Sequence, residues 1–369
     1  VGAGIVASQC WGANNRKKLL FTIKNSLMMG LFGGIILTGI GELFCKQALQ
    51  TLNTPEAIMA HALLYIRIYL LSILPMILYN MSAGILRAMG DSRTPFLILA
   101  AGGFLNVCMD ALFIGFLHLG VAGAAFATVT SQLFTAVVLT AFLIKREKLL
   151  QENWCIDLNM IRQILFLGVP LGFLTLSNLV VQFCINGFGE NDIAAFAVYF
   201  KVENLIYLPI MAFGQTMVTF TGQNIGARQI QRIQKGAIQC NLLSMGIIGL
   251  ISGIVLLFGK EILGLFCADE AVVAEGLRIV HVSFPFYFIY SILEITGSII
   301  RGAGKSLQSM AVVIATLCVL RTILLKIFGF RWHTIEAVAA VYPISWFCAA
   351  TLFVGIWLYY KNKLSFYES

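Results

Sequence analysis

Residues 8–18, SQCWGANNRKK, reappear in altered form at residues 221–231 as TGQNIGARQIQ. The two segments share three residues at a separation of 214 positions, and the same separation relates RAMGDS at 87–92 to RGAGKS at 301–306 and SQLF at 131–134 to SWFC at 345–348. Seven identities at one separation indicate an internal duplication. The paired positions are Gln9 and Gln223, Gly12 and Gly226, Ala13 and Ala227, Arg87 and Arg301, Gly90 and Gly304, Ser92 and Ser306, and Ser131 and Ser345.

The composition places both halves in a membrane. Of the 369 residues, 59% are hydrophobic and 11% are charged, and the mean hydropathy is +0.88, whereas soluble domains contain about 45–50% apolar residues. About twenty helical residues cross a hydrocarbon core about 30 Å thick. Because a helix satisfies its own backbone in lipid, we predict ten spanning helices. They cover residues 25–44, 63–86, 96–116, 121–144, 164–188, 194–220, 242–266, 279–300, 310–328 and 337–359.

The basic residues mark one side of the membrane. With the NNRKK loop in the cytoplasm, 17 of the 25 Lys and Arg residues fall on the cytoplasmic side, as the positive-inside rule describes. This rule places the basic loops and the C-terminus in the cytoplasm, and it explains the net charge of +8 without nucleic acid as a partner. The polar segment at 145–163 separates the halves. An even number of spans lies between corresponding points, so the repeats are parallel in the membrane.

Six motifs carry a family resemblance: SQCWGANN, RAMGDSRTPF, FLNVCMDALF, GVAGAAFATVTSQ, TFTGQNIGAR and IIRGAGKS. In this order they resemble those of the multidrug and toxic compound extrusion (MATE) transporters, over essentially the whole chain. The resemblance implies an all-α, multi-pass plasma-membrane protein with two six-helix lobes in a V. Such a protein exports small amphipathic, often cationic compounds in exchange for Na⁺ or H⁺.

We assign residues 1–144 to the N-lobe, 145–163 to the linker and 164–369 to the C-lobe. We expect a monomer with no cofactor beyond the coupling ion. Counted from Ile156 in the linker, about 67 residues lead to Gln223, whereas eight precede Gln9. The first half therefore lacks about 59 residues, or one span, one loop and half of another span. We expect a twelve-helix protein whose first helix and half of whose second are missing from this sequence.

Ionisable residues inside spans are costly in lipid and are therefore functional candidates. Asn106 and Asp110 are four residues apart and share one helix face. Thr128 lies at a similar depth on the next helix of the hairpin, about 12–15 Å below the turn. Such oxygens suit a hard cation, and a desolvated carboxylate suits a proton. The corresponding positions of the second half carry Leu320, Leu324 and Tyr342.

This asymmetry favours a cation-coupling site over a structural hydrogen-bond cluster, with Asp110 as a candidate Na⁺ ligand. The resemblance adds weight, because the N-lobe cation site of the MATE family has Asn and Asp at this spacing and Thr on the next helix. That site also includes an Asp on the first helix, which is absent here. Some members carry a Glu on the seventh helix, eight residues after its Pro. That position is Asn178 here, which moves the coupling prediction to the N-lobe.

Three charged residues in the second half are candidates for binding substrate or a proton: Lys201, Glu203 and Glu294. Lys201 and Glu203 point about 200° apart on one helix and cannot pair directly, so each needs a partner elsewhere. For Glu203 the alternatives are a cationic substrate, a proton or a structural tie to another helix. Glu294 either lines the cavity or pairs with a neighbour. We expect Arg67 and Arg321 to be structural, each with a counter-charge on a neighbouring helix.

The paired glycine motifs, which include Gln9, Gly12, Gly90, Gln223, Gly226 and Gly304, predict either hinges for alternating access or tight cytoplasmic turns. A glycine after a span can take positive φ and close the helix, and we expect Gly226 to do so.

The sequence carries no enzyme signature. The four His are isolated, the nine Cys form no C-x-x-C pair, and RGAGKS lacks the spacing of a phosphate loop. An ion gradient must therefore drive transport. Two alternatives remain. A flippase for a lipid-linked or polysaccharide precursor would need a basic central cavity. A non-transporting receptor or scaffold would need large soluble segments.

Overall fold

The structure is a computed structural model that describes residues 2–51, 56–149, 156–168, 190–332 and 334–360. Within these ranges every regular element is helical. The helices of the first half are α1 Gly2–Gly12, α2 Arg16–Thr51, α3 Glu56–Leu70, α4 Ile73–Ala88, α5 Arg93–Asp110, α6 Gly120–Arg146 and α7 Leu158–Gly168. Those of the second half are α8 Glu190–Gly226, α9 Ile230–Leu257, α10 Gly259–Gly264, α11 Glu270–Ser283, α12 Tyr287–Gly302, α13 Ser306–Val313, α14 Arg321–Trp332 and α15 Ile335–Tyr360.

Nine helical stretches in the described ranges are long and apolar enough to cross a membrane. They correspond to nine of the ten predicted spans, and the tenth, at 164–188, lies almost entirely outside the described residues. The prediction for 242–266 is wrong at both ends. Helix α9 covers Ile230–Leu257, because its polar first turns are helical too, and Phe258 leaves the helical region with φ −115° and ψ 26°.

The helix bounds repeat with the sequence. Adding 214 to the first residue of α2 gives the first residue of α9, Ile230. Adding it to the last residue of α4 gives the last residue of α12, Gly302. The duplication inferred from seven identities is therefore confirmed at the level of the helices.

Each repeat closes two of its helices in the same way. At Gly90 and Gly304 the φ angles are +90° and +80°, and the Gly90 and Asp91 N–H groups donate to Arg87 and Leu86 O at 2.9 Å each. These two bonds satisfy carbonyls at the helix end, as in a Schellman motif. Only glycine adopts such φ values without strain, which explains its presence at both positions.

The corresponding turns after α1 and α8 correct the prediction for Gly226. Helix α8 continues through Gly226, and the residue with positive φ is Arg228, at +56°. Its N–H donates to Ile225 O at 2.9 Å, and the next N–H donates to Asn224 O at 2.8 Å. Asn14 has the same role after Gly12, with φ +51°. The closure falls two residues later than predicted because it depends on where the terminal hydrogen bonds form.

The chain divides into two compact units, Val1–Ile164 and Leu165–Ser369. In the first unit α4 packs against α2 and α6, and α5 pairs with α6. In the second unit α12 packs against α8, α9 and α15.

The predicted linker at 145–163 ends in a helix, because α7 begins at Leu158. The Asp157 N–H anchors this start on α2 by donating to Asn25 Oδ1 at 2.7 Å.

Close packing joins α5 to α6. A Cβ added at Gly102 would overlap the Cγ2 of Thr135, and one added at Gly123 would lie 3.1 Å from the Phe113 carbonyl carbon. Because neither glycine has a side chain, the two backbones approach closely, as small residues allow in membranes. The helical hairpin predicted around Asp110 and Thr128 thus consists of two tightly packed helices, α5 and α6.

An ionic cluster lies at the basic-loop end of the first unit. Asp91 Oδ2 accepts from Arg146 Nη1 at 2.7 Å and from Thr94 Oγ1 at 2.9 Å, and Asp91 Oδ1 accepts from the Thr94 N–H at 3.0 Å. Glu147 lies 3.7 Å from Arg146 Nε and 3.8 Å from Arg16 Nη2. Partial burial raises the pKa of Asp91, but the Thr94 hydrogen bonds and the Arg146 charge outweigh this, so that the pKa lies below its ordinary value.

We predict that Gly102→Ala lowers the stability of the protein by about 1–3 kcal/mol, because the added methyl overlaps the stiff Thr135 side chain. Gly103→Ala is the matched control, since nothing lies within 4 Å of its added Cβ. The apparent melting temperature in detergent measures the difference. Equal melting temperatures for the two variants would contradict the close packing.

We also predict that Asp91→Asn destabilises the protein by about 1 kcal/mol at neutral pH. The pKa of Asp91 is lower in the folded state than in the unfolded state. Its stabilisation is therefore complete above the unfolded pKa, near 3.8, and is lost as the pH falls through the folded value. Melting curves of wild type and variant should converge in acid. A difference that stays constant with pH would show that the Asp91 charge contributes nothing.

Candidate functional site

Asn106 and Asp110 occupy the last two turns of α5, and both side chains are half-buried. Their helix is largely uncovered within the first unit, where its buried residues are Pro95 and Gly102. The carboxylate and the amide therefore share one accessible face at the end of a tightly packed hairpin.

Thr128 lies on the facing helix α6 and is also half-buried. Its hydroxyl donates to Ala124 O at 3.1 Å, which leaves the oxygen lone pairs free to accept or to coordinate. Within the described part of the chain, no hydrogen bond joins Thr128, Asn106 and Asp110 to one another. The three residues thus supply oxygens that do not satisfy each other.

The helix changes geometry directly after Asp110. Residues Ala111–Phe116 form a π-helical turn, in which the Leu117 N–H donates to Leu112 O at 2.8 Å. In the second half a π-helical turn covers Ile314–Leu320 and ends directly before Arg321. Such turns are rare and occur frequently at functional sites. In both repeats the turn adjoins an ionisable residue, but at positions that are not equivalent under the duplication.

A second polar cluster lies in the second unit and centres on Glu203 of α8. The Tyr287 hydroxyl of α12 donates to Glu203 Oε1 at 2.5 Å. The Tyr199 and Tyr287 hydroxyl oxygens are 3.0 Å apart. Because Tyr287 has one hydroxyl proton and donates it to Glu203, Tyr199 is the donor of the second bond. The result is a directed chain of hydrogen bonds that ends on the carboxylate.

Arg321 is buried in the same unit, with 5% of its surface exposed. Its Nε and Nη2 donate to Ser345 Oγ at 3.1 and 2.9 Å, and its guanidinium lies over the Tyr342 ring at 4.9 Å. Among the described residues no carboxylate pairs directly with it. The prediction that a counter-charge on a neighbouring helix contacts Arg321 is therefore wrong for the described residues. In its place, α15 supplies a hydroxyl and an aromatic ring, because these are the groups on its side that faces Arg321.

Aromatic rings connect these two charged residues. The Trp346 ring lies 5.9 Å from Tyr342 and 4.8 Å from Tyr287. Arg321 contacts Tyr342, and Tyr287 is bonded to Glu203, so the rings form a continuous layer between cation and carboxylate.

Glu294 is buried on α12 and pairs with Arg301 of the same helix at 2.5 Å. Ser298 links the two, because it accepts from Arg301 Nη2 at 2.7 Å and donates to Glu294 Oε1 at 3.3 Å. A Cβ added at Gly214 would lie 2.6 Å from Glu294 Oε1. Glu294 is thus enclosed between α12 and α8 and paired with Arg301. Of the two alternatives for this residue, lining a cavity or pairing with a neighbour, the structure has the second.

The remaining charged residues lie apart from these clusters. Lys201 is exposed, and its Nζ lies 5.7 Å from the centre of the Phe266 ring. As the helix geometry requires, it makes no contact with Glu203. Arg67 has the expected partner on a neighbouring helix, Glu42, at 3.8 Å. Asn178 lies outside the described residues.

The turn residues stand at one end of each unit. Gln9 and Gln223 are half-buried and accept the N–H of Ala13 and Ala227 at 2.9 and 3.0 Å through their backbone carbonyls. These bonds belong to helix closure. Whether the turns also act as hinges stays a prediction.

Sequence reasoning missed Tyr287 and Trp346. Tyr199 and Glu203 are four residues apart on one helix face, which signals a polar stripe. Their partners lie 84 or more residues away, however, and no spacing in the sequence indicates which tyrosine faces Glu203.

No group of three or more His, Cys, Asp and Glu side chains in the described ranges is arranged to hold a metal ion. Asp110 would need neutral oxygens, such as Asn106 and Thr128, to hold one.

Comparison with known proteins identifies the family. The family model MatE matches residues 1–112 and 170–327. The probable multidrug resistance protein YoeA of Bacillus subtilis is 29% identical over 321 residues, which cover 83% of this chain and 69% of YoeA. The multidrug export protein MepA of Staphylococcus aureus is 24% identical over 354 residues, which cover 91% of this chain and 77% of MepA.

Solved structures share the fold. A structure described as MATE in the bent conformation has a TM-score of 0.91 at 21% identity and covers 99% of this chain, with 83% of its own chain matched. An outward-facing multidrug resistance MATE family transporter of the MOP superfamily also has a TM-score of 0.91, at 21% identity, and covers 100% of this chain and 84% of its own. Because the family model spans well over half of the residues, the chain belongs to the MatE family.

Proposed function

We propose that the protein is a secondary exporter of small amphipathic, cationic compounds, driven by Na⁺ or H⁺ through alternating access of its two lobes. Membership of a transporter family and the multidrug names of its relatives support export. The basic loops support an orientation with those loops and the C-terminus in the cytoplasm. The positive net charge thus follows from the orientation of the protein in the membrane. In this proposal the protein acts as a monomer in the plasma membrane.

The observation that carries the proposal is the difference between two copies of one hairpin. The helices of the first-half hairpin carry Asn106, Asp110 and Thr128, and those of the second-half hairpin carry Leu320, Leu324 and Tyr342 at the same positions. A polar set needed only for packing would be expected in both copies. Its restriction to one copy supports a role in binding the coupling cation.

The chemistry of this set fits a monovalent cation. Asp110 supplies the negative charge, and the Asn106 and Thr128 oxygens add neutral ligands without hydrogen bonds to each other that would have to break. A proton on Asp110 would neutralise the same charge and change the same contacts. A cation bound from outside favours one arrangement of the lobes, and substrate favours another. Because coupling between two ligands is reciprocal, cation binding promotes substrate release.

We predict that Asp110→Asn reduces ion-driven efflux in proteoliposomes at least tenfold, because the neutral amide provides no charge to exchange. The assay imposes a Na⁺ gradient and a pH gradient separately and follows a fluorescent cationic substrate. Wild-type transport under one gradient identifies the coupling ion. Undiminished efflux by Asp110→Asn under that gradient would refute the site.

A threonine pair gives a matched test of the neutral ligand. Thr128→Ala should raise the cation concentration needed for half-maximal efflux by about threefold to tenfold, since one oxygen is lost from the set. Thr130→Ala, two residues along the same helix with an exposed side chain, should behave as wild type. Equal effects of the two substitutions would contradict a specific contribution of Thr128.

A further inference from the structure

The basic-loop end of the second unit carries four positive charges in two neighbouring turns. Arg228, Arg232 and Lys235 are exposed around the turn from α8 to α9, and Lys305 is half-buried in the turn from α12 to α13. Both turns lie at one end of the unit, because a Cβ added at Gly302 would lie 2.7 Å from a carbonyl oxygen in the last turns of α8. These four basic residues form the basic end of the second unit.

The sequence supplies no acidic residue to neutralise the basic end. The segments that lead into and out of its two turns, together with the last span, contain no Asp or Glu at 204–260, 295–335 and 337–367. Inside the described ranges its four residues form no ion pair, and Arg232 donates to the neutral amide oxygen of Gln229 at 2.9 Å. Any counter-charge bound there therefore comes from outside these segments.

The first unit differs at the equivalent end. There Asp91 pairs with Arg146 at 2.7 Å, and Glu147 lies 3.7 Å from the same guanidinium. At a separation of 214 positions Asp91 corresponds to Lys305 and Glu147 to Lys361, so a lysine stands at both carboxylate positions. Of these two lysines, Lys361 lies outside the described residues. The positive-inside rule accounts for basic residues at this end of both units, but not for the loss of the carboxylates from one of them.

The helix start beside Lys305 also lacks the anion that its counterpart has. In the first unit Asp91 Oδ1 accepts the Thr94 N–H in the first turn of α5. Helix α13 begins at Ser306, and its N-cap, Lys305, makes no side-chain capping bond. Ser306 is 1% exposed, and its hydroxyl has no hydrogen-bond partner in the described part of the chain. Because a helix start carries partial positive charge, this position adds to the charge of the basic end.

We propose that the basic end binds the headgroups of anionic phospholipids. Such a headgroup supplies the negative charge that this end of the second unit lacks, through phosphate oxygens that form charge-assisted hydrogen bonds with Lys and Arg. With the orientation proposed above, these lipids belong to the cytoplasmic leaflet, whose anionic surface attracts basic segments. The inference concerns lipid contact, goes beyond the proposed function and does not require transport.

The apolar surface next to the basic end favours a lipid over a soluble anion. Lys235, Ile238 and Leu242 lie at i, i+3 and i+7 and therefore share one face of α9. Ile238 and Leu242 are 56% and 66% exposed. This face thus presents a cation at its end and uncovered apolar side chains beyond it, which match the charged headgroup and the acyl chains of a phospholipid. Inorganic phosphate would use only the cation.

The test is the binding of fluorescent phosphatidylglycerol to the purified full chain in neutral-detergent micelles, with fluorescent phosphatidylcholine as the neutral comparison. Phosphatidylglycerol should bind about tenfold more tightly, and added salt should reduce this preference, because screening weakens charge attraction. Arg232→Gln and Lys305→Gln should each lower its affinity about fivefold, the contribution of one basic residue near an anionic surface. Both variants should bind phosphatidylcholine as the wild type does.

Arg93→Gln is the matched control, because Arg93 is exposed at the corresponding end of the first unit, two residues from the Asp91 carboxylate. It should change the affinity for phosphatidylglycerol by less than about twofold, since the nearby carboxylate offsets its charge. Lys235→Gln provides a further variant at an exposed position if Lys305→Gln does not fold, and it should resemble Arg232→Gln.

Equal affinities for the two lipids, or equal losses in Arg93→Gln and Lys305→Gln, would overturn the proposal. Displacement of phosphatidylglycerol by inorganic phosphate at an equal concentration would also overturn it, because the ligand would then be a soluble anion. Binding is measured without an ion gradient. A lipid preference without ion-driven efflux would therefore contradict only the proposed function, and efflux without a lipid preference would contradict only this inference.

Discussion

A polar group inside a hydrocarbon layer must find a partner within the protein, since leaving a hydrogen-bonding group unpaired there costs several kcal/mol. The spans satisfy this constraint for the backbone by being helices, and the helix ends satisfy it with the paired bonds around Gly90, Gly304, Asn14 and Arg228. The same constraint acts on side chains. Several buried hydroxyls donate to their own helix, as Ser26 and Thr316 do to carbonyls four residues earlier. Charged groups cannot be satisfied in this way, so each one indicates a specific requirement.

The duplication shows which of these requirements are structural. Both halves keep the helix bounds and the left-handed closures, because any copy of the fold needs them. The halves differ in the hairpin made by α5 and α6 in one unit and by α13 to α15 in the other. One copy presents Asp110 with an amide and a hydroxyl. The other buries Arg321 behind Ser345 and Tyr342. Two copies of one scaffold have thus acquired opposite charges at neighbouring positions.

Much of the architecture follows from the sequence. Length, hydropathy and the fixed separation between motifs predict the spans and their repetition, since a helix in lipid is determined by local composition. The boundaries of α9 and the closure at Arg228 are less predictable, because polar residues extend a helix beyond its apolar core and terminal hydrogen bonds determine where it ends. Contacts between distant helices are least predictable. Glu203 was a candidate from its position alone, but its bond to Tyr287 joins residues 84 positions apart, and side-chain periodicity carries no information about such a pair.

The central claim is that cation binding in the first half and substrate binding are coupled. The most direct measurement is the affinity of purified protein for a fluorescent cationic substrate, titrated at increasing Na⁺ and, separately, at decreasing pH. The account predicts that one of the two cations weakens substrate binding severalfold and that Asp110→Asn removes this dependence. A substrate affinity that is independent of both cations, or a dependence that persists in Asp110→Asn, would contradict it.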